Sequence, residues 1–111
     1  MSGLAGTITT RSRLLGRPLD TARFWVRFNG NTPVIQESFN CASLSRSSSG
    51  IFVLTFITAM PSTNYCVLAV SSQSQTLLGT TNTANVTIET RNASNSATNT
   101  DKIAVAIFID D

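Results

Sequence analysis

The strongest constraint on the fold is an alternating run near the start of the chain. Residues 23–28 read RFWVRF, so apolar side chains at positions 24, 26 and 28 alternate with Arg23, Trp25 and Arg27. Successive side chains of a β-strand point to opposite faces, so this period of two predicts a strand with one buried face. Asn29-Gly30 follows, a dipeptide that tolerates the positive φ angles of a tight turn. The run at 34–40 then returns as the second strand of a hairpin.

The rest of the chain continues as short apolar runs separated by polar turns. Residues 51–57 and 65–70 are apolar on both faces, apart from Thr55. We predict further strands at 76–78, 86–91 and 103–109, and a polar turn at 43–50. About six or seven short strands, with turns roughly every 8–15 residues, are typical of an all-β protein. We therefore expect an antiparallel, jelly-roll-like β-sandwich over residues 23–111.

The first 22 residues have a different character, because neither a helical nor a strand period runs through them. Four glycine or proline residues interrupt this stretch, and three arginines precede the first acidic residue, Asp20. We expect residues 1–22 to form an extended N-terminal arm. A basic arm is either a solvated tail or a segment that docks on an acidic neighbour. In the second case, the docking residues are Arg11, Arg13 and Arg17, with Leu14 and Leu15 filling an apolar notch.

The low charge of the chain indicates an assembly. Charged residues make up 13% of the sequence, whereas serine, threonine and asparagine number 14, 16 and 9. Hydroxyl and amide groups can be satisfied inside an interface, while unpaired charges are costly to bury there. In addition, a strand that is apolar on both faces fills the core with one face and leaves the other in need of a partner. Both observations predict self-association.

Several short islands of sequence resemble a β module found in bacteriophage tail fibres and other virion appendages. These islands are Trp25-Val26-x-Phe28-Asn29-Gly30, Ser38-Phe39-Asn40, Gly50-x-Phe52, Ala59-Met60-Pro61, Tyr65 and the closing run DKIAVAIF at 101–108. The resemblance covers about residues 20–108, although Cys41 stands where such modules often have valine. It implies a virion structural or receptor-contacting role and a homotrimer about a threefold axis.

Catalytic and metal chemistry find little support in the sequence. The chain has no histidine and only two cysteines, which excludes the common histidine-based catalytic sites and the usual four-ligand zinc sites. A pair of carboxylates, Glu37 and Glu89, is the one candidate for sugar hydrolysis, but no groove-forming repeat surrounds it. No Gly-Lys-Ser/Thr phosphate loop occurs. We therefore expect a protein that is not an enzyme and holds no cofactor or metal.

Trp25 is the most distinctive candidate for a binding residue, because Arg23 and Arg27 flank it. An aromatic ring between cations suits a recognition surface. It also suits a subunit interface, in which arginine methylene groups cover the indole, and we favour this second interpretation. Cys41 and Cys66 are predicted to be small buried hydrophobic residues without a disulfide, as expected for a protein assembled in a reducing cytoplasm.

Two functions remain from these observations. A capsid cement or decoration protein needs one module and an attachment arm, which 111 residues can supply. A tail-fibre or appendage subunit that contacts the host cell surface usually needs a shaft as well, so we favour the cement protein. The sequence shows no signal peptide and no stretch of transmembrane length, and a net charge of +2 is small for nucleic-acid binding. The expected location is the virion, after assembly in the host cytoplasm, with partners among other copies and capsid or tail proteins.

Overall fold

The computed structural model describes residues 22–109, which form two antiparallel sheets of four strands packed face to face. The strands are β1 (Phe24–Asn29), β2 (Val34–Phe39), β3 (Cys41–Ser48), β4 (Ile51–Phe56), β5 (Cys66–Ser71), β6 (Gln75–Thr81), β7 (Asn85–Arg91) and β8 (Ile103–Phe108). The order is β2-β1-β8-β5 in the first sheet and β3-β4-β7-β6 in the second. The predicted antiparallel β-sandwich is confirmed. Residues 1–21 of the predicted arm lie outside the described part of the chain.

The strand count exceeds the prediction because β3 lies where we predicted a polar turn. This strand has the sequence CASLSRSS and is exposed at most of its positions. It pairs only with β4, so it forms an edge of the second sheet. Edge strands with polar side chains resist pairing with other chains, and such a strand shows little of the apolar alternation that sequence analysis detects. The prediction of a turn over residues 43–50 was therefore wrong for all but its last residues.

The core lies between the sheets and is built from the inward face of each central strand. In β1 the predicted alternation holds, because Phe24, Val26 and Phe28 are at most 1% exposed. Phe28 meets Phe52 of β4 edge to face, with ring centroids 5.3 Å apart. Contacts of this kind join the first sheet to the second and favour one relative position of the two. The other fully buried large side chains are Leu54, Ile88, Ile103, Ile107, Val86 and Thr90.

Gly30 is needed for close packing and not for the positive φ angle that we predicted. The turn between β1 and β2 spans residues 30–33, and Gly50 is the glycine with a positive φ among the described residues. A Cβ atom at position 30 would lie 2.5 Å from the ring of Phe52 and 2.8 Å from the carbonyl oxygen of Thr100. The Asn29 side chain accepts a hydrogen bond from the amide of Asn31 at 2.9 Å and so stabilises the turn.

Asn40 joins the two sheets at the end where β1 begins. It lies between β2 and β3 and adopts a φ of 64°, in the left-handed region that asparagine tolerates better than most residues. Its side-chain nitrogen, Nδ2, donates to the carbonyl oxygens of Arg23 at 3.0 Å and Thr58 at 3.1 Å. Its side-chain oxygen accepts from the amide of Thr58 at 2.7 Å. One side chain thus ties β1, the β2–β3 connection and the segment after β4.

We expect Asn40→Ala to lower the free energy of unfolding by about 2–3 kcal/mol, because it removes these hydrogen bonds and places an alanine in a left-handed conformation. Asn95 is a matched control, since it has a φ of 66° and makes one side-chain bond, to Arg91, in an exposed loop. Urea denaturation should show a clearly smaller loss for Asn95→Ala. Equal losses for the two variants would mean that the hydrogen bonds of Asn40 contribute little.

Candidate functional site

The outer face of the first sheet is apolar although it points away from the core. Trp25 of β1 is paired with Phe39 of β2 on one side and with Ala106 of β8 on the other. Ala106 is in turn paired with Leu68 of β5, so four apolar side chains form one row across the sheet. Directly paired residues share a face. We call this surface the apolar face; it comprises Trp25, Phe39, Leu68, Val70, Ala104, Ala106 and Phe108.

The large side chains of the apolar face are exposed to an unusual degree. Val70 is 67% exposed, Leu68 58%, Phe39 52%, Trp25 40% and Phe108 37%. Antiparallel sheets commonly place one face on the core and a polar face towards water. A contiguous apolar surface on a small domain is instead typical of a contact with another protein. This face is therefore the candidate functional site.

A shallow groove of about 320 Å³ runs along the middle of the apolar face. Its floor consists of Ala104 and Ala106 in β8, whose small side chains leave space above the sheet. Trp25 of β1 stands on one side of this groove, and Leu68 and Val70 of β5 stand on the other. The face thus offers both a projecting ring and a depression beside it.

Two charged side chains lie in the row next to Trp25. Arg27 of β1 is paired in register with Glu37 of β2 on one side and with Ala104 on the other, and Val70 continues the row. Both charged residues are exposed. Neither side chain, however, makes an ion pair or hydrogen bond with the part of the chain that the structure describes.

A second recess, of about 470 Å³, adjoins the apolar face at the end where β1 begins. Phe39 belongs to both surfaces, and Ile57, which is 70% exposed, lines the recess as well. The buried side chain of Met60 and the half-buried Arg23 complete its main walls. Since Arg23 lies just after the point where residues 1–21 join the sandwich, this recess lies beside the base of the predicted arm.

The outer face of the second sheet is mixed in chemistry, because Ile51 and Val53 of β4 pair there with polar residues of β7. On β7 it presents Thr87 and Glu89, and Arg91 donates to the Glu89 carboxylate at 2.8 Å. Glu37 belongs to the first sheet and Glu89 to the second. The structure therefore does not bring together the two carboxylates that we considered for sugar hydrolysis. Within residues 22–109, no group of three or more cysteine or acidic side chains is placed to hold a metal ion.

The structure places the predicted site residues in three different settings. Trp25 and Arg27 lie on the outward side of β1, and Arg23 lines the recess at its beginning. Arg11, Arg13, Leu14, Leu15 and Arg17 lie outside the described residues. Both thiols are free, as we expected. Cys41 is buried, but Cys66 is exposed on β5, so the prediction of burial was wrong for Cys66.

Most residues of the apolar face carry no individual signal in the sequence. Phe39, Leu68 and the alanines of β8 become neighbours of Trp25 only through the strand order and register. The signal that did exist was the apolar character of residues 65–70 and 103–109 on both faces. That signal indicated that an outer face is apolar and needs a partner, but it did not show which strands form that face.

No protein-family model matches the sequence, and no curated protein or solved structure shows significant similarity to it. The described residues contain no helix that is long and apolar enough to cross a membrane.

Proposed function

We propose that this chain is a bacteriophage virion structural protein, and specifically a homotrimeric capsid cement or decoration protein. The observation that carries the proposal is the apolar face of the first sheet. Phe39, Trp25 and Leu68 would remain in contact with water in an isolated domain, at an energetic cost that grows with the exposed apolar area. Covering this face with other copies of the chain removes that cost. The resemblance to virion appendage modules supports the threefold arrangement.

The same proposal gives residues 1–22 the role of attachment to the shell. The arginines at positions 11, 13 and 17 suit an acidic surface on a capsid protein, and Leu14-Leu15 suit an apolar notch within it. Arg23, which follows this segment in the chain, lines the recess at the start of β1 and not the groove of the apolar face. The proposal therefore assigns self-association to the sheet and attachment to the arm.

A tail-fibre or appendage subunit that contacts the host surface is the second candidate, and one observation favours it. The polar loop at 92–99 lies at the end of the sandwich opposite the base of the arm, since the Gly30 amide after β1 donates to the carbonyl of Thr100 at 2.8 Å. Attachment at one end and an exposed, hydroxyl- and amide-rich tip at the other would suit receptor binding. Antibody labelling of intact virions separates the two, because it locates the protein on the capsid or on the tail.

We expect a protein that lacks residues 1–20 to fold and to form trimers, but to lose binding to virions from which the native protein is missing. Light scattering should give about three times the mass of the shortened chain, as it should give three times 11.9 kDa for the full chain. Co-sedimentation with particles measures binding. Raising the salt concentration should weaken the binding of the full chain, because exposed ion pairs are screened.

A matched control keeps the length of the arm and replaces Arg11, Arg13 and Arg17 with alanine. If charge drives attachment, this variant should lose both binding and salt dependence. Binding of the truncated protein at full strength would show that the β-sandwich makes the contact and that the arm is dispensable.

A further inference from the structure

We propose that a second copy of the chain covers the apolar face, with Arg27 of one copy paired to Glu37 of the next and Trp25 seated in the neighbour's groove. This inference deepens the proposed function and rests on its self-association. It names the residues that fix the register between copies, which an apolar surface alone leaves undefined.

The positions of the two charges support an intermolecular pair. Arg27 and Glu37 are cross-strand partners on the same outward face, yet neither makes an ion pair within the described residues. Arg27 also borders the groove, together with Val70 and Ala104. Any partner that covers the groove therefore comes close to the guanidinium group of Arg27. Once water is displaced there, an unpaired charge becomes costly.

The signs of the charges favour a second copy over an unrelated partner. In the row next to Trp25, the two charged side chains are a cation, Arg27, and an anion, Glu37. A strongly acidic or strongly basic partner would pair with one of them and repel the other. Other copies of the same face supply both complements, because in a closed trimer Glu37 of one neighbour meets Arg27 and Arg27 of the other neighbour meets Glu37. Within this row the surface is thus self-complementary in charge, while exposed Lys102 adds a second cation at the recess that Arg27 also lines.

The shape of the face is self-complementary in the same sense. Trp25 projects beside a groove whose floor is made of Ala104 and Ala106. A ring from a neighbouring copy fits above these small side chains, between Trp25 and the β5 residues Leu68 and Val70. Buried aromatic side chains in pockets are the usual energetic centres of protein interfaces. Charge and shape therefore point to the same occupant.

Charge reversal tests the pairing with full-length protein. We expect Arg27→Glu and Glu37→Arg, each alone, to weaken self-association by at least about tenfold, because each brings like charges together. Mixing the two variants in equal amounts should restore association, since the new carboxylate of one then meets the new guanidinium of the other. In a closed trimer two of the three contacts are restored, so recovery should be partial but clear. Sedimentation velocity over a dilution series measures these changes.

Asp101→Arg is the matched control, because Asp101 is exposed, lies outside the strands and belongs to neither the groove nor its charged row. It should associate like the wild type. The Arg27–Glu37 pairing is wrong if the single variants associate more weakly and mixing them does not restore association. It is also wrong if both variants associate as strongly as the wild type. In either case self-association itself stands. A wild type that stays monomeric at all concentrations overturns both this inference and the proposed assembly.

Discussion

Replacing Phe28 with alanine is expected to lower the free energy of unfolding by about 3–5 kcal/mol. The Phe28 side chain is fully buried and packs edge to face on Phe52 of the opposite sheet, with ring planes at 64°. Truncation removes this inter-sheet contact and leaves a cavity between the layers. Neighbouring backbone limits collapse into that space, because Gly30 already lies against the ring of Phe52. Urea denaturation of dilute protein measures the loss.

Phe39→Ala is the matched control for Phe28→Ala, since it makes the same chemical change on the opposite side of the first sheet. Phe39 is 52% exposed, so we expect its truncation to cost less than about 1 kcal/mol in the monomer. A mild effect at position 28 combined with a severe effect at position 39 would show that the inward and outward faces of this hairpin have been exchanged.

The inward face of the sandwich was predictable because burial leaves a period of two in the sequence. The alternation at residues 23–28 correctly separates buried Phe24 and Phe28 from outward Trp25 and Arg27. Strand β7 behaves in the same way, with buried Val86 and half-buried neighbours. In such strands the residue type at each position indicates whether its side chain is buried, so the partner strand need not be known.

The composition of the outer face was much less predictable, because it depends on register and strand order. Irregularities interrupt three of the six strand pairings, including one between Arg27 and Phe28 that shifts the partner from Glu37 to Ile35. A shift of one residue reverses the facing of a strand. No local pattern specifies where such a bulge occurs, so Phe39 and Leu68 could not be placed beside Trp25 in advance. The edge strand β3 resembles a turn in the sequence for a different reason, because most of its side chains are polar and exposed.

Three residues of the sequence islands from which we inferred a resemblance to virion appendage modules have structural roles in this fold. Gly30 allows close approach to Phe52, and Asn40 ties three segments together. The hydroxyl of Tyr65 donates to the carbonyl of Asn82 at 2.8 Å, and burial raises its pKa. These three residues therefore belong to the framework, whereas Trp25, Phe39 and Ala106 of the same islands lie on the apolar face. Function in this protein has to be argued from the apolar face and the arm.

Replacing Trp25 with alanine is expected to leave the fold of the domain intact and to weaken self-association by about 2–4 kcal/mol, or roughly 30- to 1,000-fold in the dissociation constant. The side chain is 40% exposed and lies outside the core cluster, so folding depends little on it. In the proposed assembly, however, it is the largest side chain that passes from water into an interface. Sedimentation velocity across a concentration series measures the association, and circular dichroism with urea denaturation measures the fold.

Two controls make this result specific to the apolar face. Thr87→Ala shortens a half-buried side chain on the outer face of the second sheet. Since that face is not part of the proposed interface, association should be unchanged. Trp25→Phe retains an aromatic ring and should recover part of the lost affinity, because a smaller ring fills less of the groove above Ala104 and Ala106. If Trp25→Ala instead unfolds the domain, or if its association equals that of the wild type, the apolar face is not the surface through which copies of the chain meet.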